Sequence, residues 1–318
     1  MEGAGLPSEG MVEFPVENLV DNSLTDFDVF LRLGGNIVLY GGRGYRWERS
    51  ELNGLLSAGV RGFLIREEDG GKARMYSAVS RVPVIAQTLA PPARIQQIDE
   101  IGASLSSCLM EGELTEACIS KAGEVARGLV DCIAEDPSCI RAIQTLADHD
   151  AYTYHHSVRV AAYTVAIAIG LGITDQELIY LMAIGGLFHD VGKRAIPLDL
   201  LNKPGPLTEG EWQLMKEHPQ AGWDQLKTTG LSHISLEIVL HHHERVNGTG
   251  YPHGLKGSEL LPEVQMAALA DIFDALTSNR SYQRRRTRFE ALAFIKQKLV
   301  PNDVWPEAYR ALVGVLAG

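Results

Sequence analysis

The side chains able to ligate metal are crowded into one stretch of the chain. All ten histidines lie between His149 and His253, about a third of the length. Taken singly, a histidine beside apolar residues is usually a core residue; the argument comes from their combination. His156 opens an apolar run, and His189-Asp190 follows another over 181–188. His218 comes next, near the end of a helix expected to begin at Thr208, then His242-His243 behind the apolar stretch 236–240, and Asp271 sits within 266–276. The gaps between these points are 24 to 33 residues, about one helical hairpin each. A helical bundle can turn all of them into a common interior. Imidazoles and carboxylates without thiolates favour iron, manganese or zinc over soft copper sites. An adjacent His-Asp pair can give a nitrogen to one ion and bridge to a second through the carboxylate. Two ions about 3.5–4 Å apart clamp the oxygens of an in-line phosphoryl displacement and acidify a water between them. Phosphodiesters need that help, because their charge repels hydroxide.

The elements that must position these residues are mostly helical. Over 94–146 apolar residues such as Ile98, Ile101 and Leu105 recur three to four apart, and the rest of the chain continues in this way. Thr174 with Glu177, and Thr208 with Glu211, fit the capping box that opens a helix. The first ninety residues have another texture. Stretches 27–33 and 36–40 read as strands joined by a tight turn at Gly34-Gly35. A short helix over 48–56, ended near Gly59, and a strand over 61–65 follow, and Pro91-Pro92 marks a linker. The expected fold is mainly α: a helical bundle over 148–318, preceded by a small α/β domain over 1–90 and a helical linker region over 91–147.

The totals narrow the function. A net charge of -11 argues against binding a nucleic-acid polymer, which requires a basic face to displace counterions. The longest apolar stretch, 160–173, is too short to span a bilayer, and the N-terminus lacks a basic, apolar signal region. No membrane insertion and a cytoplasmic address are therefore expected. Cys108, Cys118, Cys132 and Cys139 lack the Cys-x-x-Cys spacing of zinc sites and read as small buried side chains. Stretch 33–46 contains several glycines but no phosphate-loop lysine pattern, so it is not read as a nucleotide site.

Four segments together carry a specific resemblance. They are His189-Asp190-Val191-Gly192-Lys193, His218-Pro219, the run from His242-His243-Glu244 to Gly250-Tyr251-Pro252, and the run from Asp271 through Asp274 to Arg280. In this order they resemble the signatures of the HD-GYP family over residues 149–299. The resemblance implies an HD-type helical bundle and a metal-dependent phosphodiesterase that hydrolyses cyclic di-GMP to linear pGpG, in some members on to GMP, with a bridging hydroxide. It implies that His156, His189, Asp190, His218, His242, His243 and Asp271 are the metal ligands, with Asp190 as the bridge. Lys193 would stabilise developing charge or help the leaving oxygen depart. Tyr251 and Arg280 would contact the substrate phosphate, with Gly250 and Pro252 shaping the loop that carries Tyr251.

Two positions depart from the family pattern. Tyr152 stands where some members have a glutamate that helps hold a third metal. Two divalent ions, iron or manganese, are therefore expected, and a third is not. Gln283 replaces a common phosphate-binding lysine or arginine, and Arg284, within the Arg284-Arg285-Arg286 triplet, is the candidate to supply that charge. His149, His155, His233, His241 and His253 match no ligand position, and Glu244 is read as orienting an imidazole. The alternative to an enzyme is a catalytically weak adaptor that binds cyclic di-GMP or a diguanylate cyclase domain. Pairing of the helical region 94–146 with a second copy would give a homodimer.

Overall fold

The computed structural model describes residues 10–80, 82, 89–111, 114–146, 152–278 and 285–317. The expectations placed on Arg280, Gln283 and Arg284, and on the side chain of Tyr152, lie outside the described residues. Two compact units are present, one of Met1–Val84 with Leu114–Glu124 and the other of Ile85–Glu113 with Val125–Gly318.

In the first unit, β1 (Met11–Pro15), β3 (Val29–Leu33), β4 (Asn36–Gly41) and β6 (Gly62–Arg66) make an antiparallel sheet in the order β1-β6-β3-β4. A small ribbon pairs β2 (Leu24–Thr25) with β5 (Tyr45–Arg46). Leu33 pairs with Asn36, and the two residues between them, Gly34 and Gly35, have φ of 55° and 90°. That left-handed pair is what a two-residue hairpin turn demands, so the turn read from the sequence has its physical cause. Helices α1 (Arg49–Ser57) and α2 (Gly70–Val79) complete the unit. Its core is aromatic: Phe14, Phe27 and Tyr76 meet edge to face, and Trp47 packs on Phe63. Strand β1 was not legible in advance, because only Phe14 and not its neighbours is buried.

The second unit is helical. It contains α3 (Pro91–Glu111), α5 (Cys139–Leu146), α6 (Tyr152–Gly170) and α7 (Gln176–Phe188), with the later part of α4 (Glu116–Glu135). Short helices α8 (Leu198–Leu201), α9 (Glu209–Met215), α10 (His218–Leu226) and α11 (His233–His241) follow, then α12 (Pro262–Thr277), α13 (Arg288–Phe294) and α14 (Pro306–Ala317). Every residue from 156 to 168 is buried, so α6 runs through the middle and packs on α3, α7, α12 and α14. Its apolar residues cover every side from Val158 to Ala168, and its buried Arg159 is paired with Asp274. Among the described residues no helix is long and apolar enough to cross a membrane.

Three local expectations are corrected. Asp175, not Thr174, caps α7, accepting from the amides of Glu177 at 3.0 Å and Leu178 at 3.1 Å. Pro91-Pro92 does not form a linker but opens α3, where a missing N–H is harmless. His218 does not close the helix after Thr208; it begins α10, because Pro219 lacks the amide needed to continue the earlier helix. The capping box at Thr208 and Glu211 is present.

Candidate metal centre

Four helix ends and one helix middle aim their side chains at a single point. His156 lies in the first turns of α6, His189 directly follows α7, and Asp190 leads into a tight 3-10 turn over Val191–Ala195. His218 opens α10, His242 and His243 directly follow α11, and Asp271 lies within α12. A close backbone approach holds Asp190 opposite His218. A Cβ on Gly192 would lie 1.9 Å from the His218 carbonyl oxygen and 2.4 Å from the Gly222 nitrogen, so only glycine fits between them.

The histidines are oriented by what lies behind them. His189 Nδ1 donates to the Gly186 carbonyl at 2.7 Å, His218 Nδ1 to Met215 at 2.8 Å and His242 Nδ1 to Val239 at 2.9 Å. A carbonyl can only accept, so each Nδ1 carries a proton and each ring turns its Nε2 inward. Yet His218 Nε2 and His242 Nε2 stand 3.3 Å apart, and His189 Nε2 and His156 Nε2 stand 3.2 Å apart. Inward-turned Nε2 atoms at that range make a donor set that a divalent metal ion fits.

The carboxylates straddle the two histidine pairs. Asp190 Oδ2 is 3.6 Å from His156 Nε2 and 3.4 Å from His189 Nε2, while Oδ1 is 3.3 Å from His218 Nε2 and 3.9 Å from His242 Nε2. Oδ1 is buried without a hydrogen-bond donor in place. Asp271 behaves similarly, with Oδ1 3.3 Å from His156 Nε2 and Oδ2 3.7 Å from His243 Nδ1. The seven side chains fall into two sets, Asp190 with His218, His242 and His243, and Asp271 with His156 and His189. Within each set the ligating atoms lie within 4.8 Å of one another.

Electrostatics favour the ligating forms of most of these groups. Burial, reinforced by neighbouring imidazoles, holds His242 and His243 well below the usual imidazole range, so both stay neutral. Burial opposes ionisation of Asp190, but Lys193 and His189 outweigh it and carry its carboxyl well below the ordinary range. Asp271 is depressed in the same way, chiefly by its hydrogen bond with His156 against the cost of burial. His156 is the exception: burial works against its charge, but Asp271 and Asp274 raise it. An ion entering there displaces a proton. Lys193 Nζ bonds directly to Asp190 Oδ2 and remains partly open to solvent.

Sequence reasoning missed the support behind His156. Asp274 is fully buried and accepts from His156 Nδ1 at 2.7 Å, from Arg159 Nε at 2.6 Å and from the Ser278 hydroxyl at 3.1 Å. Burial opposes its ionisation, but Arg159 holds its carboxyl at about 2. The signal was available in the spacing: Arg159 is one turn beyond His156, and Asp274 one turn beyond Asp271.

The Gly-Tyr-Pro loop closes over one side. A Cβ on Gly250 would lie 2.3 Å from Glu244 Cα, so the loop can pack here only with glycine. The Tyr251 ring lies 4.7 Å from that of His243, and the partly exposed ring of Trp212 lies 6.0 Å from Tyr251 on the outer side. Burial, with the charges of Asp271 and Asp190, pushes the Tyr251 phenol above its ordinary range, so it remains a donor. Glu244 does not orient a ligand imidazole. Its oxygens accept the amides of His253, Gly254 and Leu255 at 2.7, 3.0 and 3.0 Å, pinning the end of the same loop. The Arg286 guanidinium stacks on Phe294 at 4.0 Å.

A family model described as HD domain matches residues 142–299. The chain is 32% identical over 249 residues to a cyclic di-GMP phosphodiesterase of Pseudomonas aeruginosa, covering 74% of this chain and 59% of that protein. It is 37% identical over 161 residues to a 3'3'-cGAMP-specific phosphodiesterase of Vibrio cholerae, covering 51% of this chain and 35% of that protein. The chain thus spans less than two thirds of either relative. Among solved structures, an HDG"Y"P protein from Bdellovibrio bacteriovorus superposes with a TM-score of 0.66 at 22% identity, covering 97% of this chain and all of that one. That likeness shows the fold.

Proposed function

The chain belongs to the HD-GYP family, and from that premise we propose that it hydrolyses cyclic di-GMP to linear pGpG at a centre of two divalent transition-metal ions, iron or manganese. The observation that carries this reading is Asp190, which turns one carboxylate oxygen toward each pair of histidines. A single-ion site has no use for that arrangement. When bound, two such ions would polarise the phosphoryl group and supply hydroxide near neutral pH.

The chain's own residues perform the remaining tasks. His156, His189, His218, His242, His243 and Asp271 hold the ions with Asp190. Lys193, bonded to Asp190, brings a positive charge to the edge of the centre, where it offsets charge building on the phosphate. The Tyr251 hydroxyl donates to a phosphate oxygen, with Gly250 and Pro252 setting the loop. Arg280 and Arg284 add charge-assisted bonds to the same phosphate. Trp212 offers an exposed ring beside Tyr251 on which a purine can stack. Tyr152 in place of a third-metal glutamate favours arrest at pGpG over release of GMP.

The test is anaerobic purification, metal analysis and chromatography of cyclic di-GMP and 3'3'-cGAMP after incubation, beside a variant carrying His189→Ala and Asp190→Ala. Metal-dependent appearance of pGpG, absent in the variant, is the expected result. Faster turnover of 3'3'-cGAMP would reassign the substrate. Tight binding of cyclic di-GMP without product would make the protein an adaptor.

A further inference from the structure

We propose that His241, Glu244 and His253 form a separate site for one divalent ion of the zinc class, sharing no ligand with the centre described above. His241 is the last residue of α11, beside His242; successive helical residues point about 100° apart, so the two rings leave the helix in different directions. His241 Nε2 lies 3.0 Å from His253 Nδ1, and one donor atom from each of His241, Glu244 and His253 lies within 4.8 Å of those of the other two. Two nitrogens bound about 2.0–2.1 Å from a tetrahedral zinc ion stand about 3.3 Å apart, so the rings need to open by only a few tenths of an ångström.

The surroundings are those of a ligand set. His241 is buried, and its Nδ1 lies 3.3 Å from Glu237 Oε2, one turn earlier on α11. His241 Nδ1 makes no hydrogen bond, and it is Nε2 that is turned toward His253. Glu244 is buried and held by backbone amides, two on Oε1 and one on Oε2, so Oε2 keeps a lone pair in a fixed direction. His253 is exposed, which gives the ion a route in and leaves room for water at a fourth position. Two imidazoles and one carboxylate with an open position are a zinc-type donor set. The same contact without an ion is a hydrogen bond from His253 to His241, and the experiment separates the two.

An ion here ties two parts of the chain together. Residues 244–255 include Tyr251, and His241 directly precedes His242 and His243. Zinc at this site therefore stiffens the Tyr251 loop against the end of α11. This inference stands on its own ligands and does not require the proposed hydrolysis.

The experiment uses the full chain stripped by a chelator, then zinc alone. Bound zinc is counted by mass spectrometry after dialysis against a fixed free-zinc buffer, for wild type, His253→Ala and His233→Ala. The expected result is one zinc fewer per chain in His253→Ala than in the other two. Zinc should also slow amide exchange over 248–255 in wild type and leave it unchanged in His253→Ala. Because His253 is exposed, the variant is expected to unfold at the wild-type temperature, which checks that lost zinc is not lost fold. Equal zinc counts in wild type and His253→Ala would overturn the proposal and leave the hydrogen bond alone.

Discussion

His156 Nδ1 lies 2.7 Å from Asp274 Oδ2, and the same carboxylate takes the Arg159 guanidinium at 2.6 Å. One buried acid thus sets the direction of a candidate ligand and neutralises a buried cation. Asp274→Asn keeps the shape but removes the charge. Metal affinity is expected to fall about 10- to 100-fold, as when an outer partner of a ligating imidazole is lost. Stability should fall by about 3–5 kcal/mol, because Arg159 is left buried and uncompensated. Metal titration and urea unfolding read the two effects separately. Wild-type metal affinity in the variant would show that His156 needs no such support.

Gly250 makes a different claim, about the loop and not the ions. A methyl group there meets the Glu244 backbone at 2.3 Å, so Gly250→Ala must push the Tyr251 loop outward. A displacement of about 1 Å at a substrate contact costs on the order of 100-fold in rate. The expected outcome is a loss of that size in kcat/KM with the iron or manganese content of the two-ion centre unchanged. An unchanged kcat/KM would remove Tyr251 from the substrate site.

The sequence disclosed ligand types and order better than their support. Clustered histidines and aspartates at helical-hairpin spacing pointed to a metal centre, and the resemblance to the HD-GYP signatures assigned the seven candidate ligands within it. The same logic located the Gly34-Gly35 hairpin. It failed where a residue's role depends on what it packs against. Asp274 and Glu244 are ordinary acids on paper, and only burial against Arg159 or against three loop amides gives each its role. His218 was put on the wrong helix because the pattern of apolar residues does not register the break before Pro219.

Lys193 is the strongest positive influence on Asp190, whose ionisation burial resists. Lys193→Met keeps the length and removes the charge. Two results are expected. The rate should fall about 100- to 1,000-fold if the ammonium offsets developing charge on phosphate. Without Lys193 the Asp190 carboxyl titrates higher, so metal loading should fail at a higher pH as the solution is acidified. Metal content against pH checks the second point independently of turnover. Coincident loading curves for wild type and Lys193→Met would refute it.

Glu124 gives a prediction about stability in the first unit. Burial pushes its carboxyl up to about 7 from an ordinary 4.5, only partly relieved by Lys121. Lys121 cannot serve it fully, since its ammonium is buried 3.0 Å from Asp26. A raised carboxyl pKa means that the folded chain holds more protons than the unfolded chain between about 4.5 and 7. Stability is therefore expected to fall as pH rises through that window and to level off above it. Glu124→Gln removes the titrating group, so its unfolding free energy should be flatter with pH over the same range. At pH 8 the variant is expected to exceed wild type by up to roughly 3 kcal/mol, the shift converted at about 1.4 kcal/mol per unit. At pH 4 the two should nearly coincide, because Glu124 is then protonated in both states. Urea unfolding at the two pH values decides it; a variant less stable than wild type at pH 8 would mean that Glu124 is held as a charge by Lys121.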